Sequence, residues 1–386
     1  MKRGNLVRGL VLLVVAAFFG WQAWRLGDAV HIALLALFGL AALLTLAGWL
    51  KEGQQSLAMN AGISLAFLDY VFAELNLSQV VQALAEARWS LLGLAVFLVL
   101  FHLIFRIWRW QWLLKPLGEI PFGPAFRAGM IGIGGNMILP ARAGEFLRAY
   151  AIGRSSRISM TGAFATVVVE RIFDGLTVLL LLLGLIIFGV RDEQLQRIGL
   201  IGGAFYLIAL AGIVLFMWRR SWFEAVVRKL LPQAPAERVL KLLDGFATGL
   251  EALSDGRQLF MISLLSLITW TIVALSFWPV IEAFDFGAPV PFFASFLILP
   301  LVALGLTLPT GPAGVGNFEF FALIGLRISL AIAGTPLVEG SAAAAVAAAC
   351  VVVMHASHAI PEALLGIWAF FAEGLTTGDL RAGREI

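Results

Sequence analysis

The feature that most constrains this chain is a series of uncharged apolar runs, each close to the length that a membrane-spanning helix needs. Seven such runs occupy residues 9–24, 29–50, 53–68, 89–105, 175–190, 198–218 and 258–281. About 20 mostly apolar residues cross the hydrocarbon core of a bilayer. Two further apolar stretches, 128–141 and 286–371, are broken by charges, prolines and glycines. The pattern predicts an all-α, polytopic integral membrane helical bundle with about nine spanning helices and two broken or re-entrant segments.

Composition agrees with a membrane protein and excludes several other classes. Only 13% of the residues are charged, about half the fraction that a soluble domain carries. A net charge of +3 is too small to indicate a nucleic-acid partner. The single cysteine, Cys350, lies in an apolar run and cannot form an intrachain disulfide. No GxGxxG, P-loop or HExxH pattern occurs. We therefore expect no cofactor, no metal and no enzymatic activity.

The distribution of basic residues predicts how the chain is oriented. Lys2, Arg3 and Arg8 precede the first run and place the N-terminus in the cytoplasm under the positive-inside rule. No small-residue cleavage site follows that run, which favours an uncleaved first helix. We expect a multi-pass protein of the cell inner membrane. Its predicted parts are an N-terminal hairpin (1–53), a main transmembrane domain (54–375) with amphipathic surface helices at 219–257, and a cytoplasmic tail (376–386).

Arginines and tryptophans alternate just after the run 89–105. Arg106 and Arg109 are interleaved with Trp108, Trp110 and Trp112. Tryptophans near the ends of spanning helices commonly lie at the level of the lipid headgroups. The pattern predicts a cytoplasmic loop with aromatic anchors rather than a nucleic-acid surface.

The first group of residues that breaks the apolar pattern lies between Gly134 and Arg148. Pro140 disfavours helix at the residue before it, and several glycines surround it. If a helix restarts after Pro140, then Arg142, Glu145 and Arg148 share one face. We expect a re-entrant hairpin whose arginines meet a phosphate. A cytoplasmic loop with ordinary surface charges is the alternative.

The second group, Glu170-Arg171-x-x-Asp174, lies between two uncharged runs that together make one long helix. Glu170 and Asp174 are one turn apart, and Arg171 reaches Asp174 three residues on. Charged side chains within a membrane helix are expensive and therefore suggest function. The alternative is a structural ion-pair network, and such a network can also hold an arginine of the first group.

The third group, 308–319, repeats the chemistry of the first. Both contain Leu-Pro, then a small-residue stretch with Ala-Gly, then an acid beside Phe. Two segments interrupted by Pro and Gly in corresponding positions point to the central site of a transporter. Glu319 is therefore either a proton carrier or a structural acid that caps a helix N-terminus. His355, His358 and Glu362 share one helical face, which favours a polar contact between helices over a metal site.

These three groups, in this order and spacing, resemble the transmembrane domain of lysyl-phosphatidylglycerol synthase/flippases, whose stand-alone members are known as flippase-like or UPF0104 proteins. The resemblance covers about residues 88–368, and Gly135 stands where the family often has a second Asn. It implies a stand-alone member without the aminoacyl-transferase domain. It also implies a lipid translocase. The expected binding residues are Asn136, Arg142, Glu145, Arg148, Glu170, Arg171, Asp174 and Glu319.

The resulting prediction is a flippase or scramblase that moves a polar-headed or aminoacylated phospholipid, or another lipid, across the bilayer. Arg142 and Arg148, with Arg171, would bind phosphate, and Glu145 and Glu319 would balance charge or carry protons. The expected partners are the lipid and the bilayer, with a lipid-synthesising enzyme or a second copy of the chain left open. The alternatives are a secondary transporter for a small solute, a transferase acting on a polyprenyl-phosphate lipid, and a non-transporting partner of a synthase.

Overall fold

A computed structural model describes residues 3–72, 77–139, 142–187, 218–250, 255–338 and 340–375, with residues 197, 200, 204, 208, 211, 212, 215 and 216. The described chain is helical and has no strand. The first eight helices are α1 (Arg3–Leu26), α2 (Ala29–Leu46), α3 (Glu52–Phe72), α4 (Leu77–Glu86), α5 (Trp89–Leu114), α6 (Phe122–Ile138), α7 (Gly144–Ser156) and α8 (Met160–Ile187). The others are α9 (Arg220–Leu230), α10 (Gln233–Leu250), α11 (Gly256–Ala283), α12 (Phe293–Gly305), α13 (Asn317–Ile332) and α14 (Ala342–Ala372).

Six helical segments in the described part of the chain are long and apolar enough to cross a membrane. They are Gly4–Leu26, Ala29–Leu46, Trp89–Leu117, Gly256–Ala283, Pro312–Ile332 and Ala342–Ala372. The prediction of an all-α, multi-pass membrane bundle is confirmed. The total of about nine spans stays a prediction, since most of the run 198–218 and the end of the run 175–190 lie outside the described residues.

Helix α8 is also long, although it is not one of these six. It has 28 residues, and its only charged side chains are Glu170, Arg171 and Asp174. As predicted, these three lie inside one continuous helix rather than at its end.

The described residues divide into two compact units. The first draws on Met1–Ala87, Phe284–Pro289 and Leu301–His355. Its core includes Leu12 and Phe19 from α1 packed with Phe38 and Ala42 from α2. Helix α3 packs on α1 and also on α13, where the Phe67 and Phe320 rings stack with centroids 4.5 Å apart. The N-terminal hairpin thus packs with α3, and the predicted domain boundary at residue 53 stays a prediction.

The second unit draws on Arg88–Ala283, Val290–Pro300 and Ala356–Ile386. Helix α5 lies at its centre and packs against α6, α8 and α11. Leu103, Ile107, Trp110 and Leu113 of α5 are buried in the main hydrophobic core. Burial of large apolar side chains, at about 1.5–3 kcal/mol each, accounts for much of the stability of such a core.

The prediction of a loop after residue 105 is wrong. Helix α5 continues to Leu114, and both Arg109 and Trp110 are completely buried. The indole of Trp110 donates a hydrogen bond to the Thr166 hydroxyl, 3.0 Å away. Trp110 therefore packs in the core instead of anchoring the chain at the headgroups, and Arg109 is part of a buried network.

Within the polar segment 219–257, α9 and α10 are helical, as the periodicity predicted, and residues 251–254 lie outside the described residues. No residue of α9 is buried, and its Trp222 and Leu230 side chains are exposed. Helix α10 packs on α8 and buries Ala236 and Leu240. Part of the apolar face of α10 is thus covered by the protein itself.

Candidate functional site

Glu170, in the middle of α8, is surrounded by arginines. Its carboxylate accepts a hydrogen bond from Arg148 Nη2 at 2.6 Å and another from Arg171 Nη2 at 2.9 Å. Arg109 Nη2 lies 3.1 Å from Oε1, and Arg106 Nε lies 3.6 Å from the same oxygen. Glu170 is completely buried, so it needs this compensation to remain charged.

Asp174, one helical turn further along, contacts two of these arginines, Arg109 and Arg171. Arg109 Nη1 donates to Asp174 Oδ1 at 2.7 Å, and Arg171 Nη1 lies 3.2 Å from Oδ2. Trp270 of α11 also donates its indole N–H to Oδ1, at 2.8 Å. Ser266 accepts a hydrogen bond from Arg109 Nη1 at 3.0 Å. Helices α5, α8 and α11 are thus joined by one buried polar network.

The hairpin of α6 and α7 brings a further arginine to this network. The two helices approach closely because glycines face each other: a Cβ on Gly132 would lie 2.6 Å from Arg148 Cβ, and one on Gly144 would lie 2.6 Å from the Asn136 amide nitrogen. Both distances are too short for a real side chain. The glycines thus allow Arg148 to reach Glu170, while its guanidinium stacks 3.7 Å from the centre of the Trp110 ring.

Arg142 is placed differently from its prediction. Helix α7 begins at Gly144, so Arg142 precedes the helix and does not share a face with Glu145 and Arg148. Its backbone is in the left-handed region, at φ 55°, which is rare for a residue other than glycine. Its side chain is exposed, and it lies near enough to Arg171, Glu145 and Arg106 for electrostatic interaction with them. Pro140 and Ala141, which were expected to break the helix, lie outside the described residues.

Glu145 and Asn136 form the loosest part of the network. Asn136 Nδ2 donates to Glu145 Oε1 at 3.5 Å, and Arg171 Nε lies 3.6 Å from the same oxygen. Both distances are long for a strong interaction. Glu145 is therefore the acid that is held least tightly by arginine.

We call these eight residues the arginine cluster: Arg106, Arg109, Arg142, Arg148, Arg171, Glu145, Glu170 and Asp174. Among the described residues of this cluster, five guanidinium groups and three carboxylates give an excess of two positive charges. Within the described part of the chain, Arg109 Nε, Arg148 Nε, Arg171 Nε and Asn136 Oδ1 form no hydrogen bond, although all four atoms are buried. The cluster can therefore accept further hydrogen-bonding groups, and its charge favours an anion.

Glu319 belongs to the first unit. Its Oε2 accepts a hydrogen bond from the backbone N–H of Gly316 at 2.8 Å, which caps α13 as the structural alternative predicted. Its Oε1 lies 2.6 Å from His355 Nδ1. His355 also stacks on Phe318, with ring centroids 4.4 Å apart. A role for Glu319 as proton carrier or lipid ligand stays a prediction.

The two histidines of α14 have separate partners. His355 contacts Glu319, whereas His358 Nε2 lies 3.0 Å from the Ser276 hydroxyl of α11. The predicted polar contacts between helices are confirmed for both. No group of three or more His, Cys, Asp or Glu side chains suited to a metal occurs among the residues that the structure describes.

Sequence reasoning missed Arg109, Trp270 and the inward position of Arg106. A signal was present: the buried positions Leu92, Ala95, Val99 and His102 recur every three to four residues, and the same periodicity continues to Arg109. Following the helical period past the first charge would have placed Arg109 on the buried face.

Comparison with known proteins agrees with this architecture. The sequence model of the lysylphosphatidylglycerol synthase TM region matches residues 57–366. Glycosyltransferase AglD of Haloferax volcanii is 28% identical over 293 residues, which cover 67% of this chain and 47% of that protein. A UPF0104 membrane protein of Methanothermobacter thermautotrophicus is 24% identical over 271 residues, covering 67% of this chain and 78% of that protein.

A second UPF0104 membrane protein, from Methanocaldococcus jannaschii, is 28% identical over 158 residues, covering 40% of this chain and 47% of that protein. The chain thus spans about half the length of two of these relatives. No solved structure matches it.

These comparisons correct one expectation and confirm another. The prediction that the chain is not an enzyme is wrong, because a relative that matches 67% of this chain is named as a glycosyltransferase. The absence of soluble-enzyme motifs could not exclude chemistry at a membrane-embedded site. The resemblance noted in the three charged groups is confirmed, since the matched region includes all of them. The chain belongs to the lysylphosphatidylglycerol synthase TM region family.

Proposed function

We propose that this protein binds the phosphate-bearing headgroup of a membrane lipid at the arginine cluster and moves that headgroup across the bilayer. One observation carries the proposal: the cluster has an excess of positive charge at a break between helices, where the exposed Arg142 adopts a strained backbone. Strained residues of this kind concentrate at ligand sites. A phosphate would complete the charge balance of the cluster.

The arginines differ in what they offer to a ligand. Arg109 and Arg148 are buried and engaged by Glu170 and Asp174, so they hold the framework together. The Arg171 side chain is 30% exposed, and that of Arg142 is exposed as well. We therefore assign Arg142 and Arg171 as the phosphate ligands and Arg148 as their support. Guanidinium groups suit phosphate because they donate two parallel hydrogen bonds.

The membrane setting supports a lipid ligand over a soluble one. A lipid can leave its acyl chains in the bilayer while only the headgroup enters the cluster, so the protein needs no large enclosed cavity. The closely packed glycines of α6 and α7 suit such a narrow headgroup site. We also propose that the N-terminus is cytoplasmic, that the protein lies in the inner membrane, and that it can work beside a lipid-synthesising enzyme.

A second candidate function is sugar transfer from a polyprenyl-phosphate lipid, and the similarity to glycosyltransferase AglD favours it. In this reaction the acceptor hydroxyl would lose its proton to a carboxylate while its oxygen replaces the phosphate at the anomeric carbon of the sugar. Glu170 and Asp174 are committed to arginines and are poor bases. Glu145, with its long contacts, is the better candidate for that base.

The test is lipid translocation in proteoliposomes. Fluorescent phospholipids with anionic and with zwitterionic headgroups are reconstituted with the full chain, and a membrane-impermeant quencher reports the fraction that has crossed. Arg142→Gln should reduce translocation of the anionic lipid at least about tenfold, the loss of one strong charge-assisted hydrogen bond. Arg88→Gln is the matched control, because the Arg88 side chain is 61% exposed and pairs with Glu282 outside the cluster.

The same preparations separate the two candidate functions. They are incubated with a polyprenyl-phosphate sugar that carries a radiolabel, and transfer to lipid or protein acceptors is measured. Transfer that is lost in Glu145→Gln, without translocation in the first assay, would establish the transferase instead. Equal translocation by the unmodified chain, Arg142→Gln and empty vesicles would rule out the translocase.

A further inference from the structure

The N-terminal hairpin carries a polar cluster of its own in an otherwise apolar setting. Gln22 of α1 is 1% exposed, His31 of α2 is buried, and Asp69 of α3 lies against both. Asp28 caps α2 by accepting a hydrogen bond from the backbone N–H of His31 at 3.0 Å. Gln22, Asp28 and His31 precede the region that matches the family, 57–366, and Asp69 lies within it.

Both ring nitrogens of His31 face carboxylate oxygens. Nδ1 lies 2.5 Å from Asp28 Oδ2, and Nε2 lies 2.7 Å from Asp69 Oδ1. A neutral imidazole has one N–H donor and one acceptor nitrogen, whereas ionised carboxylates only accept. One of the two contacts would therefore bring two lone pairs together if the ring were neutral. Both hydrogen bonds require one additional proton, on the ring or on a carboxylate.

The surroundings make loss of that proton costly. From α1, Gln22 Nε2 donates to Asp69 Oδ2 at 2.7 Å, and the Phe19 ring lies 6.3 Å from the imidazole. Gln22 Oε1 is buried and forms no hydrogen bond within the described residues. Arg25, in the last turn of α1, stands over the ring of Trp21. Without the added proton, one of the two carboxylates would face an unprotonated ring nitrogen in this poorly solvated pocket.

The proton has a path to water through one member of the cluster. The Asp28 side chain is 40% exposed, whereas those of His31 and Asp69 are 8% and 16% exposed. Asp28 lies at the turn between α1 and α2, and Asp69 lies near the end of α3. Hydrogen bonds to His31 therefore connect the turn of the hairpin to α3.

We propose that Asp28, His31 and Asp69 form a proton-binding site that fastens the N-terminal hairpin to α3. When the proton is bound, the imidazolium bridges the two carboxylates and holds the helices together. When it leaves, the two carboxylates compete for the one remaining ring N–H, one of the two contacts becomes repulsive, and the link between the hairpin and α3 weakens. The proposal is independent of the lipid ligand assigned to the arginine cluster.

The test uses the full chain in lipid nanodiscs with ¹⁵N-labelled histidine. The chain has four histidines, so His102→Gln, His355→Gln and His358→Gln assign the spectrum by elimination even if His31→Gln does not fold. Both nitrogens of His31 should still carry protons at about pH 8, where an ordinary histidine with pKa near 6.5 is neutral. A neutral His31 ring at that pH would overturn the proposal.

A matched variant tests the role of the carboxylate. Asp69→Asn keeps the shape of the side chain but allows its amide to donate to a neutral imidazole, so His31 should become neutral at about pH 8. Hydrogen exchange, corrected for its intrinsic pH dependence, should show α2 and α3 opening as the pH is raised above 8 in the unmodified chain but not in Asp69→Asn, whose bridge forms without the added proton. Identical His31 signals and exchange in both proteins would refute the bridge.

Discussion

Removing the charge of Glu170 should destabilise the protein more than any other conservative change in the arginine cluster. Glu170→Gln retains the shape of the side chain but leaves the surrounding guanidinium groups without their central anion. Two charge-assisted hydrogen bonds are lost or weakened, from Arg148 at 2.6 Å and from Arg171 at 2.9 Å. Each is worth about 1.5–3 kcal/mol, and an amide oxygen recovers about 0.5–1.5 kcal/mol. We expect a loss of about 3–5 kcal/mol, the range for breaking a buried ion pair.

The assay is the free energy of unfolding in mixed micelles, followed by tryptophan fluorescence during titration with SDS. Glu145→Gln is the control, because its nearest cluster contacts are 3.5 and 3.6 Å long and should cost below about 1 kcal/mol. The double variant Glu170→Gln/Arg148→Gln should recover at least about 1.5 kcal/mol, since it removes a buried uncompensated charge. Equal costs for Glu170→Gln and Glu145→Gln would refute the central position of Glu170.

Three further changes test other parts of the structure. Gly144→Ala should prevent close packing of α6 on α7 and lower both stability and lipid binding. Gly39→Ala is the control, because a Cβ there would meet no atom within 4 Å, and it should be neutral or stabilise α2 by about 0.5–1 kcal/mol. Thermal unfolding compares the two variants. Trp110→Phe should cost at least about 0.5–1.5 kcal/mol, because the Thr166 hydroxyl no longer accepts a hydrogen bond although it still donates to the Ala163 carbonyl, and a cost near zero would show that the Trp110 hydrogen bond is not formed. Cys350, the single cysteine, is completely buried, so a maleimide should label it only after unfolding; rapid labelling of the native protein would contradict its position in α14.

Local patterns in the sequence were sufficient to predict the helices and the acidic half of the cluster. Glu170, Arg171 and Asp174 lie within one helical turn, so their contacts follow from α-helical geometry. The contribution of Arg109 was not predictable in this way, because its partner Asp174 is 65 residues away. A hydropathy reading ends the helix at Arg106, since an unpaired charge in lipid is expensive. Helix α5 continues past Arg106 in the structure because α8 supplies the counter-charges.

The break between α6 and α7 shows a second limit of sequence reasoning. Proline and glycine correctly indicated that the helix is interrupted, and Leu139 is extended, as a residue before proline should be. The left-handed backbone of Arg142 was not predictable, because it is unfavourable for that residue and is stable only in this tertiary setting. Because of this backbone conformation, Arg142 lies outside the helix and does not share the face of Glu145 and Arg148.

The order of the charged helices along the chain has a consequence for how the protein is made. Helix α8 carries three charges, each of which costs about 2.5–3.5 kcal/mol at the centre of a bilayer. Its cationic partners Arg109 and Arg148 belong to α5 and α7, which leave the ribosome earlier. When Glu170 and Asp174 emerge, their counter-ions are already present, so α8 can enter the membrane as part of an assembly rather than alone. A chain in which α8 preceded α5 would have to insert its acids unpaired. We expect its membrane insertion to fail, although its finished fold could contain the same contacts.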